Sequence, residues 1–336
     1  MRIAQLIFGA EFAGAERHAV ELANALAARH EVLLAHLGRP GGSALEAAIE
    51  RRLSPAVARI ALPRRWPGLA LRRMARRHRL DLVHAHDQRA SRYSARWAGG
   101  TRKVATMHLG YSRRDHGACD GLVCLSAEQR GTLGGFGGRV ATIGNWVLPQ
   151  RRLAAEEIER LRRDLGATKE TFLIGAVGRL VPVKGFDVLI RAFRGAGLPD
   201  SRLVIFGEGP LRDELASQGG SEVLLPGFRD EIEDCYQAFD LFVCSSHSES
   251  YSLAVLEAMD TGAPILCTTA TGARTSLADA AVRWVPPGDP AALEEALRTM
   301  RELRPGRYSY PMERFRPEAR VAEIERFYEE LLSLPS

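Results

Sequence analysis
Short apolar runs separated by longer helical patterns recur along nearly the whole chain, and no other sequence feature restricts the fold as much. Arg2–Phe8, Glu31–Leu37, Leu82–His86, Lys103–His108 and Gly121–Leu125 read as buried strands. Between the first two, Glu16–Arg29 reads as a helix with apolar positions Ala19, Val20, Leu22, Ala23 and Leu26. The series closes near Gly144–Gln150, a charged helical stretch follows at Leu153–Leu165, and the pattern restarts. Its second round offers strands at Phe172–Val177, Arg202–Phe206, Val223–Leu225, Leu241–Cys244, Ala263–Cys267 and Val282–Val285. Helices are expected at Gly185–Phe193, Pro210–Ser217, Glu231–Phe239, Leu253–Thr261 and Pro290–Arg301. Such alternation makes parallel sheets with crossover helices. The expected class is α/β: two Rossmann-like, doubly wound domains, with a ligand-binding cleft between their carboxyl-edge loops. A length of 336 residues suits two domains of about 150 each. Their expected bounds are 1–150 and 151–316, followed by a terminal helical segment, 317–336.

Charge is divided unequally. Residues 1–150 carry 22 Arg and one Lys against 11 acidic groups, or +12, and the remainder carries −7. Much of the excess lies at Arg51, Arg52, Arg64, Arg65, Arg72, Arg73, Arg76, Arg77 and Arg79, interleaved with Trp66, Leu69, Leu71 and Met74. This basic amphipathic segment suits an anionic inner-leaflet surface or a phosphorylated acceptor. It suits equally a solvated face written in arginine, since the chain has only three lysines. No aromatic-interleaved or helix-turn-helix pattern points to nucleic acid. The five cysteines are scattered without a C-x-x-C pair, so neither a disulfide framework nor a zinc site is expected. Cys244 and Cys267, in apolar runs, are expected to be core residues. The opening residues lack a signal-peptide pattern and no apolar window is long enough to span a membrane, which together predict a cytoplasmic protein.

Three patches in the second half fall in loops after expected strands. Gly178-Arg179-Leu180-Val181-Pro182-Val183-Lys184-Gly185 puts two cations on a strand-to-helix loop, where they could stabilise a leaving diphosphate. It does not match the Walker P-loop. Phe206-Gly207-Glu208-Gly209-Pro210 is a glycine turn before a helix, suited to phosphate or simply to a tight turn. Ser248–Met259 carries Glu249 ahead of a helix that begins near Ser252 and Leu253, and Glu257 more than one turn inside it. A carboxylate in that apolar run needs a partner, either a ribose diol or a neighbouring arginine. Gly262 marks the helix stop.

Taken together, Glu249-x7-Glu257, the G-R-L-x-x-x-K-G segment and the G-E-G-P turn resemble retaining GT-B glycosyltransferases of family 4 over nearly the whole chain. The resemblance implies that Arg179 and Lys184 bind the donor diphosphate, helped by Gly207 and Gly209. It gives the ribose to Glu257, with Ser252 and Leu253 nearby, and gives the transferred sugar to Glu249. Phe228 and Arg229 resemble the place where the base is recognised. In the first half, Phe12-Ala13-Gly14-Ala15-Glu16-Arg17-His18 resembles the loop that approaches donor phosphate through Gly14 and acceptor through Glu16 and Arg17. His108 resembles a histidine that touches the sugar's distal hydroxyl, and Asn145 is expected on the acceptor side. The chain departs from the family at Ala13, at Trp146, and at Thr271-Gly272-Ala273-Arg274-Thr275, where a glutamate is often found. The last residues, Tyr328–Ser336 included, resemble a helix that crosses back onto the first domain.

The implied activity is transfer of a hexose-type sugar, with retention, from a UDP- or GDP-linked donor to a saccharide or lipid-linked acceptor of a bacterial surface glycan such as lipopolysaccharide. No D-x-D occurs in the chain, so no metal and no other cofactor is expected. Alternatives are a GT-B epimerase or phosphorylase, and a non-catalytic sugar-nucleotide-binding protein. A dehydrogenase is excluded, because no G-x-G-x-x-G follows either first strand.

Overall fold
The computed structural model describes the chain apart from residues 40, 230, 271–273, 275, 276, 278–280 and 336. Of the Thr271–Thr275 segment singled out above, only Arg274 is among the described residues. Two compact units form, one from Met1–Asn145 with Pro317–Ser336, the other from Trp146–Arg316. The division therefore falls after Asn145, slightly ahead of the expected residue 150.

The first unit is built on β1 (Arg2–Ile7), β2 (Glu31–Leu37), β3 (Ala58–Leu62), β4 (Leu82–Ala85), β5 (Arg102–Thr106), β6 (Gly121–Cys124) and β7 (Arg139–Thr142). They form a parallel sheet in the order β3-β2-β1-β4-β5-β6-β7. The order reverses between β1 and β4, the switch point outside which such sheets bind ligands. β3 and β7 were not anticipated. Both are edge strands, half-exposed, and so lack the continuous apolar run that marks a strand buried on both faces. Helices α1 (Gly14–Leu26), α2 (Ala44–Arg52), α3 (Pro67–Arg77), α4 (Gln88–Trp97), α5 (Arg113–His116) and α6 (Ala127–Gly131) join the strands. Within α3, Leu71 and Met74 enter the core, whereas Leu69 and the preceding Trp66 are 41% and 68% exposed.

The second unit contains helix α7 (Ala155–Asp164), followed by β8 (Phe172–Val177), β9 (Ser201–Phe206), β10 (Val223–Gly227), β11 (Leu241–Cys244), β12 (Ile265–Thr268) and β13 (Val282–Val285). Their parallel order is β10-β9-β8-β11-β12-β13, so the switch point lies between β8 and β11. Four more helices belong here: α8 (Phe186–Ala196), α9 (Arg212–Gly219), α10 (Ile232–Cys235) and α11 (Leu253–Asp260). A fifth, α12 (Pro290–Leu303), packs beside α8. The helix expected over Glu231–Phe239 shortens to α10 because Tyr236 and Phe239 turn inward as buried side chains ahead of β11. At Gly262 the backbone is left-handed (φ 79°) and ends α11 as expected.

The terminal helix α13 (Pro317–Leu332) belongs to the first unit. It buries Val321, Ile324, Phe327, Tyr328 and Leu331. Gly121 on β6 makes room for it, since a Cβ there would stand 2.7 Å from Leu331 Cδ1 and 2.8 Å from Phe327 Cζ. Each such apolar side chain contributes about 1.5–3 kcal/mol by leaving water. Tyr328 also carries a hydroxyl into the core, where it meets His84 Nδ1 at 2.5 Å and accepts from Gln5 Nε2 at 3.5 Å. Tyr328→Phe is expected to strand those buried partners at a cost of about 1–3 kcal/mol. Differential scanning calorimetry should show a lower first-unit transition, and an unchanged thermogram would refute the buried network.

Candidate active site
The carboxyl edge of the second sheet is held together by backbone. Gly178 N–H donates to Phe206 O at 3.0 Å, Leu180 N–H to Glu208 O at 2.9 Å, Leu211 N–H to Leu180 O at 3.1 Å, and Gly207 N–H to Gly227 O at 2.9 Å. These bonds bring the loops after β8, β9 and β10 so close that side chains have no room. A Cβ on Gly207 would stand 1.9 Å from Gly178 O, and one on Gly209 2.4 Å from Leu180 O. The expected helix Pro210–Ser217 starts later, at Arg212, so Gly207 and Gly209 serve the loop crossing rather than the helix terminus.

Across the switch point the loops after β8 and β11 are laced in the same way. His247 N–H donates to Val183 O at 2.8 Å, and Ser245 Oγ donates to Lys184 O at 2.9 Å. Gly185 sits at φ 62°, with space for a Cβ only 2.4 Å from Ser245 O. This lacing brings Lys184 Nζ onto Glu249 Oε2 as an ion pair. Ser246 Oγ donates to the same carboxylate oxygen at 3.4 Å, and Glu249 N–H donates to Ala270 O at 3.2 Å. Arg179, on the same loop as Lys184, is exposed; its carbonyl accepts from Val181 N–H at 2.9 Å, and its guanidinium makes no hydrogen bond or ion pair among the described residues.

Glu257 is buried on α11, and Tyr236 Oη donates to its Oε2 at 2.6 Å. A phenol thus partners the carboxylate, rather than the neighbouring arginine expected from sequence as the alternative to a ribose. Ser252 is the buried N-cap of α11 and Leu253 its first residue, and the Ser252 side chain makes no capping hydrogen bond. After β10, Phe228 is 64% exposed and Arg229 half-buried. Cys244 and Cys267 are buried and face each other in the β11–β12 register. A hydrogen bond from Cys267 draws the Cys244 thiol down to about 7.

In the first unit, four histidines gather at the carboxyl edge: His18 on α1, His84 and His86 at the end of β4, and His108 beyond β5. His86 Nδ1 is 3.4 Å from His108 Nε2, and His86 Nε2 is 2.7 Å from Gln5 Oε1. His18 Nδ1 lies 3.1 Å from Asn145 Oδ1, and His84 Nε2 2.8 Å from Thr106 Oγ1. Desolvation lowers all four, His84 to about 3, His108 to about 4, and His18 and His86 well below the usual range. The ring cluster is therefore neutral at pH 7. One donor nitrogen from each of His18, His86 and His108 lies within 4.8 Å of the others. Gly14 is exposed at the start of α1. Glu16 is buried and accepts from Ala13 N–H at 3.1 Å, while Arg17 pairs with Glu21 at 2.8 Å. His18, His84, His86, Gln5 and Tyr236 were not singled out for roles. The only sequence signal for them was the His84-x-His86 spacing at the end of an apolar run, which a core strand explains equally well.

Two family models match: "Glycosyltransferase Family 4" over residues 12–151 and "Glycosyl transferases group 1" over residues 171–302. The chain is 28% identical to the lipopolysaccharide core biosynthesis glycosyltransferase LpsD of Rhizobium meliloti, over 90% of this chain and 88% of that one. It is 35% identical over 144 residues to the D-inositol 3-phosphate glycosyltransferase of Streptosporangium roseum. That match takes in 38% of this chain but about a third, 33%, of the relative's length. Among solved structures, Anabaena HepE in complex with UDP superposes with a TM-score of 0.81 at 22% identity, over 99% of this chain and 100% of that one. WaaG, a glycosyltransferase involved in lipopolysaccharide biosynthesis, gives 0.70 at 18% identity, over 99% and 95%. At these identities the likeness speaks to the fold.

Gly207→Ala is expected to push the β8 and β9 loops apart and cost about 1–3 kcal/mol, as overpacking does. Chemical denaturation followed at a second-unit probe would measure it. A variant as stable as the parent would mean that the loops yield freely.

Proposed function
The chain belongs to the GT-B glycosyltransferases, and from that premise we propose that it moves a hexose-type sugar, with retention, from a nucleoside diphosphate donor to a saccharide or lipid-linked acceptor. The observation that carries the reading is the Lys184–Glu249 pair at the switch point of the second sheet, with Arg179 unpartnered among the described residues beside it. An exposed guanidinium on a strand-end loop suits an anion, and a diphosphate would supply one. Lys184 would then divide its charge between that diphosphate and Glu249, leaving the carboxylate available to a sugar beside it. As the anomeric C–O bond breaks, negative charge grows on the departing phosphate, where Arg179 and Lys184 lower its energy. The departing oxygen takes the proton of the acceptor hydroxyl, which attacks from the same face, so configuration is retained. Glu257, already held by Tyr236, is suited to the ribose, with Ser252 and Leu253 at the start of its helix and Gly207 and Gly209 holding the loops. Phe228 and Arg229 are offered to the base. The first unit is given the acceptor through Gly14, Glu16, Arg17 and Asn145, and His108 is given a sugar hydroxyl. With two cations present for the leaving group, transfer needs no metal.

UDP- and GDP-linked donors are the candidates. UDP is favoured by the fold shared with HepE, whose structures hold UDP and UDP-glucose. Similarity to LpsD along most of both chains supports a bacterial surface glycan, lipopolysaccharide core included, as the product. No helix among the described residues is long and apolar enough to cross a membrane. The exposed face made by Trp66, Leu69, Arg72, Arg73, Arg76 and Arg77 suits peripheral attachment to an anionic cytoplasmic leaflet.

Calorimetric titration with UDP, GDP, ADP and CMP is expected to give selective binding of one nucleotide, unchanged by EDTA. Lys184→Ala should weaken it roughly 10- to 150-fold, the worth of a hydrogen bond to a charged group, and Glu257→Ala should weaken it too. No binding of any nucleotide would sink the donor assignment, and binding abolished by EDTA and restored by Mg²⁺ would sink the metal-free scheme. In flotation assays the protein should accompany anionic vesicles and leave neutral ones, with Arg72→Gln/Arg73→Gln releasing it. Equal recovery with both lipids would remove the electrostatic attachment.

A further inference from the structure
We propose that His18, His86 and His108 bind one divalent transition metal ion of the zinc class in the first unit. The inference stands on the geometry of that unit and does not rest on the transferase reading. Three imidazoles from α1 and from the ends of β4 and β5 offer one nitrogen each, all within 4.8 Å. A tetrahedral ion with bonds of about 2.0–2.1 Å needs donors about 3.4 Å apart. His86 Nδ1 and His108 Nε2 already stand at 3.4 Å, and the His18 ring centroid lies 4.8 Å from that of His108 and 5.4 Å from that of His86.

The surroundings favour a metal over an arbitrary packing of rings. Each buried ring is held through its other nitrogen by an amide oxygen: His86 Nε2–H donates to Gln5 Oε1 at 2.7 Å, and His18 Nδ1–H to Asn145 Oδ1 at 3.1 Å. That pairing puts the lone pairs on His86 Nδ1 and His18 Nε2, the arrangement that outer-shell acceptors impose on metal-bound histidine. Without an ion, His108 Nε2–H donates to His86 Nδ1 over a long 3.4 Å. With an ion, His108 shifts its proton to Nδ1 and binds as a neutral ligand, so no proton is lost. His84 is committed to Tyr328 and Thr106 and lies outside the donor set. Half-buried His108 leaves an approach for the ion and a fourth position for water. Imidazole and water suit zinc, cobalt and nickel rather than magnesium or calcium. An ion held by His108 would exclude the sugar-hydroxyl contact proposed for that ring, so the two would compete and the ion has no part in the metal-free transfer step.

The test is Co²⁺ titration of the full, tag-free chain, read by visible absorption, with Zn²⁺ as competitor. The expected result is one Co²⁺ per chain, with the intensity of a four- or five-coordinate site, no thiolate charge-transfer band, and displacement by Zn²⁺. His108→Asn and His18→Asn should each lower affinity at least tenfold. Gln5→Met, which removes the acceptor behind His86, should lower it roughly 10- to 100-fold. His78→Asn, in the α3 cap and outside the cluster, should change nothing. Circular dichroism and melting curves establish that each variant is folded, and binding by the parent chain provides a measure that needs no variant. Absence of saturable Co²⁺ binding by the parent, a thiolate band, or equal affinity in folded His108→Asn and His18→Asn would overturn the site.

Discussion
A parallel sheet ends, at its carboxyl edge, in a row of backbone groups that neighbouring strands no longer satisfy, and the loops that follow must satisfy one another. In the second unit they do so at backbone-to-backbone distance. The bonds from Gly178, Leu180, Gly207 and Leu211 tie the loops after β8, β9 and β10, and those from His247 and Ser245 tie β8 to β11 across the switch point. Glycine is required where the crossing is tightest, at Gly207, Gly209 and Gly185. Lys184 and Glu249, far apart in sequence, meet because this lacing brings their loops together. The rigidity of the loops that carry Arg179 and Lys184 comes from main chain, which has no rotamers to lose.

The first unit meets the same constraint with side chains. Imidazoles brought into a core must remain neutral and find hydrogen-bond partners. Gln5, Thr106, Asn145 and Tyr328 supply them. One of these partners comes from α13, so the last helix is part of the first unit's polar core as well as its apolar one. Buried polar networks are all-or-none in this sense, because removing one member leaves the others desolvated and unpaired.

Arginine does two kinds of work. In the second unit Arg162 donates to the carbonyls of Ala238, Thr168 and Thr171 and pairs with Asp240, and Arg307 donates to Tyr236 O and Phe239 O. Buried Asp260 collects Gln150 N–H and the guanidinium of Arg316. Arg162 and Arg307 thus staple loop carbonyls that no strand reaches, and Asp260 accepts from a loop N–H. The arginines of α3 are exposed instead, beside Trp66 and Leu69, a distribution that composition alone does not distinguish from solvated surface.

Periodicity in the sequence determined the α/β class, the two doubly wound sheets and most of their inner strands, because strands buried on both faces must be continuously apolar. It missed β3 and β7, whose edge positions remove that requirement. The motif residues were legible as pattern: Arg179 and Lys184 as two cations on a strand-to-helix loop, Glu249 by its spacing from Glu257, and Glu257 because charge is costly in an apolar run. Which groups would answer those charges was not legible. That Lys184 meets Glu249, that a tyrosine just after α10 holds Glu257, and that three histidines of separate elements converge are facts of chain crossing. They depend on loop contacts between residues distant in sequence, and local pattern carries no record of them.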